Sequence, residues 1–251
     1  MAGKLHVGIG GWTFAPWRGL FYPKGLPQKQ ELAHASRALT SIEINATYYS
    51  RFKRESWARW RDETPPGFVF AVKASRFCTN RRELAGAGEA IAGFFAQGMA
   101  ALGDRLGPIN WQFGERKQFE PGDFAAFLAL LPREVEGLAL RHALEVRHPS
   151  FMDERFHELA RKHRAAIVFA DHDEFPRIHE ATAGFTYARL MRTQERIRTG
   201  YDAAALDRWA AQAKRWTARG DAFVYFISGA KRRAPAAAQA LIERAGAKRG
   251  T

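Results

Sequence analysis

Phe68-Val69-Phe70-Ala71-Val72-Lys73 is apolar at five consecutive positions and charged at the sixth. A strand with one wet face alternates apolar and polar side chains. This run does not alternate, so both of its faces must be covered, the pattern of a strand inside a parallel sheet with helices outside it. Pro65-Pro66-Gly67 separates it from a preceding helical stretch marked by Trp57 and Trp60.

Reading outward from this strand, the same kind of segment recurs. Towards the N-terminus lie His6 to Gly11 and Ser41 to Asn45; towards the C-terminus lie Pro108 to Phe113, Leu144 to Arg147, Ala166 to Asp171, Phe185 to Leu190 and Ala222 to Ser228. Helical spacing fills most of the intervals. Leu32, Ala35 and Leu39 define one helix, and Ile91, Phe94, Phe95, Met99 and Leu102 trace a single face of another. Phe124, Phe127, Leu128 and Leu131 follow the i, i+3, i+4, i+7 rule, a helix is predicted from Asp153 to about Lys162, and Leu206, Trp209, Ala213 and Trp216 mark a long one before the last, which carries Leu241 and Ile242. Between strands six and seven there is room only for a reduced helix near Pro176 to Glu180. Eight strands alternating with helices predict an α/β fold, a single (β/α)8 TIM barrel spanning residues 1–251. The competing doubly wound sheet should carry a glycine-rich phosphate turn, and Gly8-x-Gly10 lacks the third glycine of that fingerprint.

Composition narrows the partners. With 39 Lys and Arg against 26 Asp and Glu the formal charge is +13, which favours polyanions such as nucleic acid or phosphorylated ligands. A general preference for Arg in an Ala- and Gly-rich chain is the competing explanation. The one cysteine, Cys78, rules out an intrachain disulfide framework and agrees with a reducing cytoplasm. Met1-Ala2-Gly3-Lys4 leads straight into the first strand without the regions of a secretory signal, and no apolar run reaches membrane-spanning length, so a cytoplasmic protein without membrane contact is expected.

In a TIM barrel the chemistry gathers at the carboxyl ends of the strands. Those ends are polar: Glu43 and Asn45, Lys73, Gln112, Glu145 and Arg147, Asp171, Arg189, and Tyr225 or Ser228. The densest stretch is Leu144-Glu145-Val146-Arg147-His148-Pro149-Ser150, where strand alternation puts Glu145 and Arg147 on one face and Pro149 is expected to stop the strand. Glu43, Lys73 and Glu145 are the candidate catalytic groups: two carboxylates on opposite sides of a ligand for proton transfer, and an amine that burial would make less basic. Trp12, Asn45, Tyr48, Gln112, Arg147, His148, Asp171, Arg189 and Tyr225 are the candidate substrate-binding residues. A ring of structural ion pairs, with Lys73 neutralising Glu43 or Glu145, is the alternative.

Along its whole length the chain resembles the YecE-like family, catalogued as domain of unknown function 72. The resemblance rests on Gly10-Gly11-Trp12, Trp17-Arg18-Gly19, Phe21-Tyr22-Pro23, Ile42-Glu43-Ile44-Asn45 with Thr47 and Tyr48-Tyr49, Trp60, Thr64-Pro65, the strand Phe68 to Lys73, Leu106-Gly107-Pro108, Gln112-Phe113, Glu145 to Ser150, Arg189-Leu190 and Gly200-Tyr201. It implies a TIM barrel and supplies no settled activity. Two segments depart from the pattern. Ile227-Ser228-Gly229-Ala230 replaces an Asn-Asn-Asp-like cluster after strand eight, and Arg189-Leu190-Met191-Arg192 replaces an Arg-Leu-His-Gly-like turn after strand seven.

Glu43, Glu145, Asp171, His148 and His172 could supply metal ligands, but cations on the same rim favour paired side chains, so no cofactor is expected and a divalent metal is disfavoured. Loops on the rim side add Arg76, Arg192, Arg196, Arg198, Lys231, Arg232 and Arg233, a candidate phosphate or nucleic-acid surface with aromatic residues interleaved. The expected function is hydrolase- or lyase-like chemistry on a phosphate-bearing substrate, nucleic acid included. A non-catalytic nucleic-acid binding protein is the first alternative, and a metal-dependent sugar isomerase or epimerase is the second.

Overall fold

Eight parallel strands follow one another around a barrel in the computed structural model, which describes residues 2–247. They are β1 Leu5–Gly10, β2 Ser41–Ile44, β3 Val69–Lys73, β4 Leu106–Gln112, β5 His142–Glu145, β6 in two pieces, Ala166–Ile167 and Phe169–Asp171, β7 Phe185–Leu190 and β8 Asp221–Phe226. β1 pairs with both β2 and β8. The two pieces of β6 complete the circuit, the first paired with β5 and the second with β7. Val168, the residue between them, donates its N–H to the Leu144 carbonyl at 3.0 Å. No strand of the barrel is thereby left with an open edge to template aggregation.

Strand alternation divides the core in two. Outward positions such as Ile9, Ile42, Phe70, Val72, Trp111 and Leu144 pack against α1 Glu31–Ala38, α2 Arg54–Asp62, α3 Gly88–Phe95, α4 Pro121–Ala129, α5 Glu154–Lys162, α6 Ala203–Thr217 and α7 Ala234–Ala245. Inward positions form a separate cluster of Val69, Ala71, Ala143, Ala166, Val168, Phe185, Tyr187, Phe223 and Tyr225. The run that opened the reading thus buries Phe70 and Val72 on one side and Val69 and Ala71 on the other. Small residues on β3, β5 and β6 face large rings on β7 and β8, which fills the barrel without a pore. The amino-terminal end is plugged by His6 stacked on Phe223 at 4.6 Å and by the Arg141–Asp221 ion pair at 3.0 Å.

Three local expectations change. The helix face from Ile91 to Leu102 is broken after α3, because Gly98 adopts φ +82° and a Cβ there would meet Arg54 at 2.9 Å; Met99–Arg105 continues as a 3-10 segment. The paired part of β5 ends at Glu145, four residues before Pro149. The reduced helix near Pro176 to Glu180 does not form. Residues 172–184 instead run as an irregular strap, because Thr182 Oγ1 accepts from the Ile167 N–H at 3.1 Å and donates to the Ala165 carbonyl at 2.6 Å, tying the backbone beside β6.

Candidate functional site

The inward positions nearest the carboxyl ends are Glu43, Lys73, Asn110, Gln112, Glu145 and Arg189, joined by Arg147 just past β5. Arg189 is the centre of this layer. It lies 2.9 Å from Glu43 through Nη2 and 2.5 Å from Glu145 through Nη1, and a longer contact of 3.3 Å reaches the Gln112 carbonyl oxygen. Asn110 Nδ2 donates to both carboxylates at 3.2 Å, and the Tyr187 hydroxyl donates to Glu43. Arg147 takes the remaining Glu145 oxygen at 2.8 Å and bonds Gln112 at 2.9 Å.

Both carboxylates are fully buried, and both sit on the same guanidinium. The expectation that they flank a ligand from opposite sides is therefore corrected: their lone pairs are spent on Arg189, Arg147, Asn110 and Tyr187. Burial pushes the Glu145 carboxyl up, yet Arg189, Arg147 and Lys73 push it further down, to about 2. A group so acidic is a weak proton acceptor at neutral pH.

Lys73 is 8 % exposed and has no carboxylate oxygen within 4.0 Å among the described residues. Its Nζ stands 4.1 Å over the Tyr48 ring. Burial, followed by the charge of Arg189, lowers its ammonium to about 8, against the partial opposition of Glu43 and Glu145. The ion pair between Lys73 and a carboxylate that the structural alternative required is absent.

Above this layer opens a cavity of about 420 Å³ whose charged wall is Lys73, Arg147, Arg189 and Lys231, with Asn45 and Gln112 between them. Among the described residues no carboxylate lines it. Gly10 makes room for Asn45, since a Cβ there would lie 2.4 Å from Asn45 Nδ2; Asn45 Oδ1 is buried without a partner. Lys231 rests over Phe14 at 4.4 Å, and burial lowers its ammonium.

Other candidates lie elsewhere. Asp171 is at the outward parity of β6, on the far side of the sheet from Lys73, and bonds Arg177 at 3.2 Å and the Tyr201 hydroxyl at 3.3 Å. Tyr225 is a layer below the mouth, its hydroxyl 2.7 Å from Ser41 Oγ. His148 turns onto Ser150 at 2.8 Å, and Trp12 packs edge-on against Trp60 at 5.2 Å. Among the loop cations, Arg232 and Arg233 share Glu195 at 3.4 and 3.5 Å, Arg192 holds Asp173 at 3.0 Å and Arg196 bonds Gln194 at 3.1 Å. Arg198 is exposed, and Arg76 stands 5.3 Å over the exposed Phe77 ring. Asn110 and Tyr187 were not anticipated. Each sits two residues before a residue that was, Gln112 and Arg189, so strand alternation alone could have found them.

Among the described residues, no three His, Cys, Asp or Glu side chains gather where they could hold a metal ion. The two rim carboxylates are aimed at guanidinium groups instead.

The sequence pattern of the family described as protein of unknown function DUF72 matches residues 6–251. The chain belongs to that family. A DUF72 family protein of Thermotoga maritima is 20% identical, with a TM-score of 0.79 over 96% of this chain and 98% of its own. One of Enterococcus faecalis is 14% identical, with a TM-score of 0.73 over 98% of this chain and 96% of its own. The structure of SacUVDE has the same fold at a TM-score of 0.57 and 8% identity, covering 98% of this chain and 100% of that one. No curated protein matches by sequence. Among the described residues no helix is long and apolar enough to cross a membrane.

Proposed function

We propose that this DUF72 barrel binds a phosphate-bearing substrate at its mouth and that Lys73 is the reacting amine of a lyase-like step. The observation that carries the reading is the cavity wall: four cations and, among the described residues, no carboxylate and no ion-pair partner within 4.0 Å for the Lys73 ammonium. Arg147 and Lys231 would take the phosphate, the first through Nη1, the guanidinium nitrogen not bonded to Glu145 or Gln112, and the second as a point charge. An amine near pKa 8 is partly neutral at physiological pH and can add to a substrate carbonyl, losing water to form an imine. The imine would withdraw electrons as a neighbouring bond breaks, and water would return to free the lysine. Glu43 and Glu145 then hold Arg189 in place and do not move the proton.

A nucleic-acid substrate is supported by a second feature beside the mouth, where Tyr49 and Phe77 are 67% and 62% exposed with Arg76 close to both rings. Such a platform suits stacked bases.

Pyridoxal phosphate, used as a probe aldehyde carrying a phosphate, tests the reading. Borohydride reduction should fix it on Lys73, inorganic phosphate should compete, and Arg147→Ala should slow labelling. Labelling spread over surface lysines, with Lys73 no faster than the rest, would reject Lys73 as the reactive group.

A further inference from the structure

With no helix after β6, the outer face of β6 and β7 is roofed by the strap on one side and by α6 on the other. Between them lies a cavity of about 490 Å³, separated from the mouth by the sheet and lined by Phe169, Asp171, Arg177, Arg192, Arg208 and Trp209, among others. α6 presents one continuous face to it. Ala205, Arg208, Trp209, Gln212 and Arg215 follow the i, i+3, i+4, i+7, i+10 spacing that places residues on one side of a helix.

The charges in this cavity do not balance. Asp171, at its floor, is engaged by Arg177 and by Tyr201. Asp202 caps α6 by accepting from the Ala205 N–H at 2.7 Å. Arg192 meets Asp173 on the exposed rim at 3.0 Å, where an ion pair is worth little, and reaches Asp171 only at 3.9 Å. Arg208 and Arg215 have no carboxylate within 4.0 Å among the described residues, and Arg215 bonds only the amide oxygen of Gln212, at 3.0 Å from Nε. An acid three or four residues away on the same helix would be close enough to pair with either cation. Here those positions hold Ala204, Ala205, Ala211, Gln212, Ala218 and Arg219, and the single acid on α6, Asp207, is turned away to Arg244 at 3.0 Å. Between Arg208 and Arg215, whose backbone positions are about 10 Å apart along the helix axis at 1.5 Å per residue, stands the half-buried indole of Trp209, edge-on to Phe169 at 5.9 Å.

We propose that this outer cavity is a binding site for a free mononucleotide, with the phosphate held by Arg208, Arg215 and Arg192 and the base lying against Trp209. Guanidinium forks match phosphate oxygens, and an indole face offers a stacking partner to any base. The volume is that of a small-molecule site. The inference is independent of the chemistry assigned to the mouth.

Calorimetric titration of the purified chain with AMP, adenosine and inorganic phosphate tests it. AMP should bind more tightly than either fragment and should perturb tryptophan fluorescence. Arg208→Gln with Arg215→Gln should weaken AMP at least tenfold while leaving the melting temperature of the free protein unchanged, because both side chains are exposed. Trp209→Phe, which keeps a ring in place, should weaken it less than that pair does. Lys73→Met should leave AMP affinity as it is. The proposal is overturned if AMP binds no better than phosphate, if the arginine pair is without effect, or if Lys73→Met abolishes binding and so moves the site to the mouth. It is equally overturned if a single-stranded oligonucleotide binds far more tightly than AMP through the same arginines, since the ligand would then be a strand.

Discussion

Arg189 and Lys73 occupy the same layer of the same barrel, 2% and 8% exposed, and differ in what surrounds them. Arg189 is enclosed by acceptors from β2, β4 and β5: Glu43, Gln112 and Glu145. Lys73 has an aromatic ring beneath it and a cavity beside it. The residue types suit the two settings. A guanidinium stays charged at any pH a protein meets, so it can hold two buried carboxylates together permanently; an ammonium gives up its proton once desolvated. Half of the mouth is therefore a fixed electrostatic frame, and the other half is a group whose charge the environment has made adjustable.

Arg189→Met breaks the frame most directly. It leaves Glu43 and Glu145 buried beside each other without their shared cation, and losing one partner of a buried pair costs about 3–5 kcal/mol. For a chain of this size that corresponds to a fall of roughly 10 °C in melting temperature. Arg189→Lys should recover part of it, because one ammonium cannot match the two-sided fork. A melting temperature unchanged in Arg189→Met would show that the frame is not structural and would return Glu43 and Glu145 to the list of proton-transfer groups.

A smaller effect is expected from Glu145→Gln, and it separates the frame from the chemistry by its pH dependence. The Glu145 carboxyl lies near 2 when folded and near 4.5 as a free side chain. The folded pKa is depressed, so the stability it contributes is present above about 4.5 and is lost as pH falls towards 2. Glu145→Gln should be less stable at pH 7, by about 1–3 kcal/mol for a lost charge-assisted bond, and its stability should fall less steeply in acid. Pyridoxal phosphate labelling of Lys73 should persist in the folded variant. Loss of labelling at unchanged melting temperature would make Glu145 part of the reaction.

The barrel was readable because parallel strands covered on both faces are written as unbroken apolar runs, as in Phe68 to Lys73, and their order follows from chain order. The reduced helix does not form because residues 172–184 are held by the Thr182 hydroxyl bonded beside β6 and by the Arg177–Asp171 and Arg192–Asp173 pairs, contacts between segments that no local pattern records. The site was legible to the level of parity. Glu43, Lys73, Gln112, Glu145, Arg147 and Arg189 were recognised from polar strand ends and do meet. Asp171 was grouped with them although it ends β6 at the outward parity, because the two-piece strand gave no clean alternation from which to assign its face. Which cation would be saturated and which left unpaired depends on side-chain directions across five strands, and that information is not local.

Lys73 supplies the finest test of the comparison. Its ammonium is lowered to about 8 from an ordinary 10.5, first by burial and then by Arg189. In the folded state the group therefore holds fewer protons than in the unfolded chain between these two values, so it makes stability rise as pH increases through that window, and its charge is a cost below it. Lys73→Met should remove that rise and should be as stable as the parent, or slightly more stable, at pH 7, since the methionine stem keeps the contact with Tyr48 and sheds an ammonium whose burial Glu43 and Glu145 offset only in part. Its labelling rate in the parent should climb with a midpoint near 8, about two units before that of ordinary surface lysines. The two measurements must agree. If Lys73→Met is markedly less stable at pH 7, or the labelling midpoint stands near 10.5, then Lys73 is a saturated cation like Arg189, and the mouth is a structural ion-pair ring throughout.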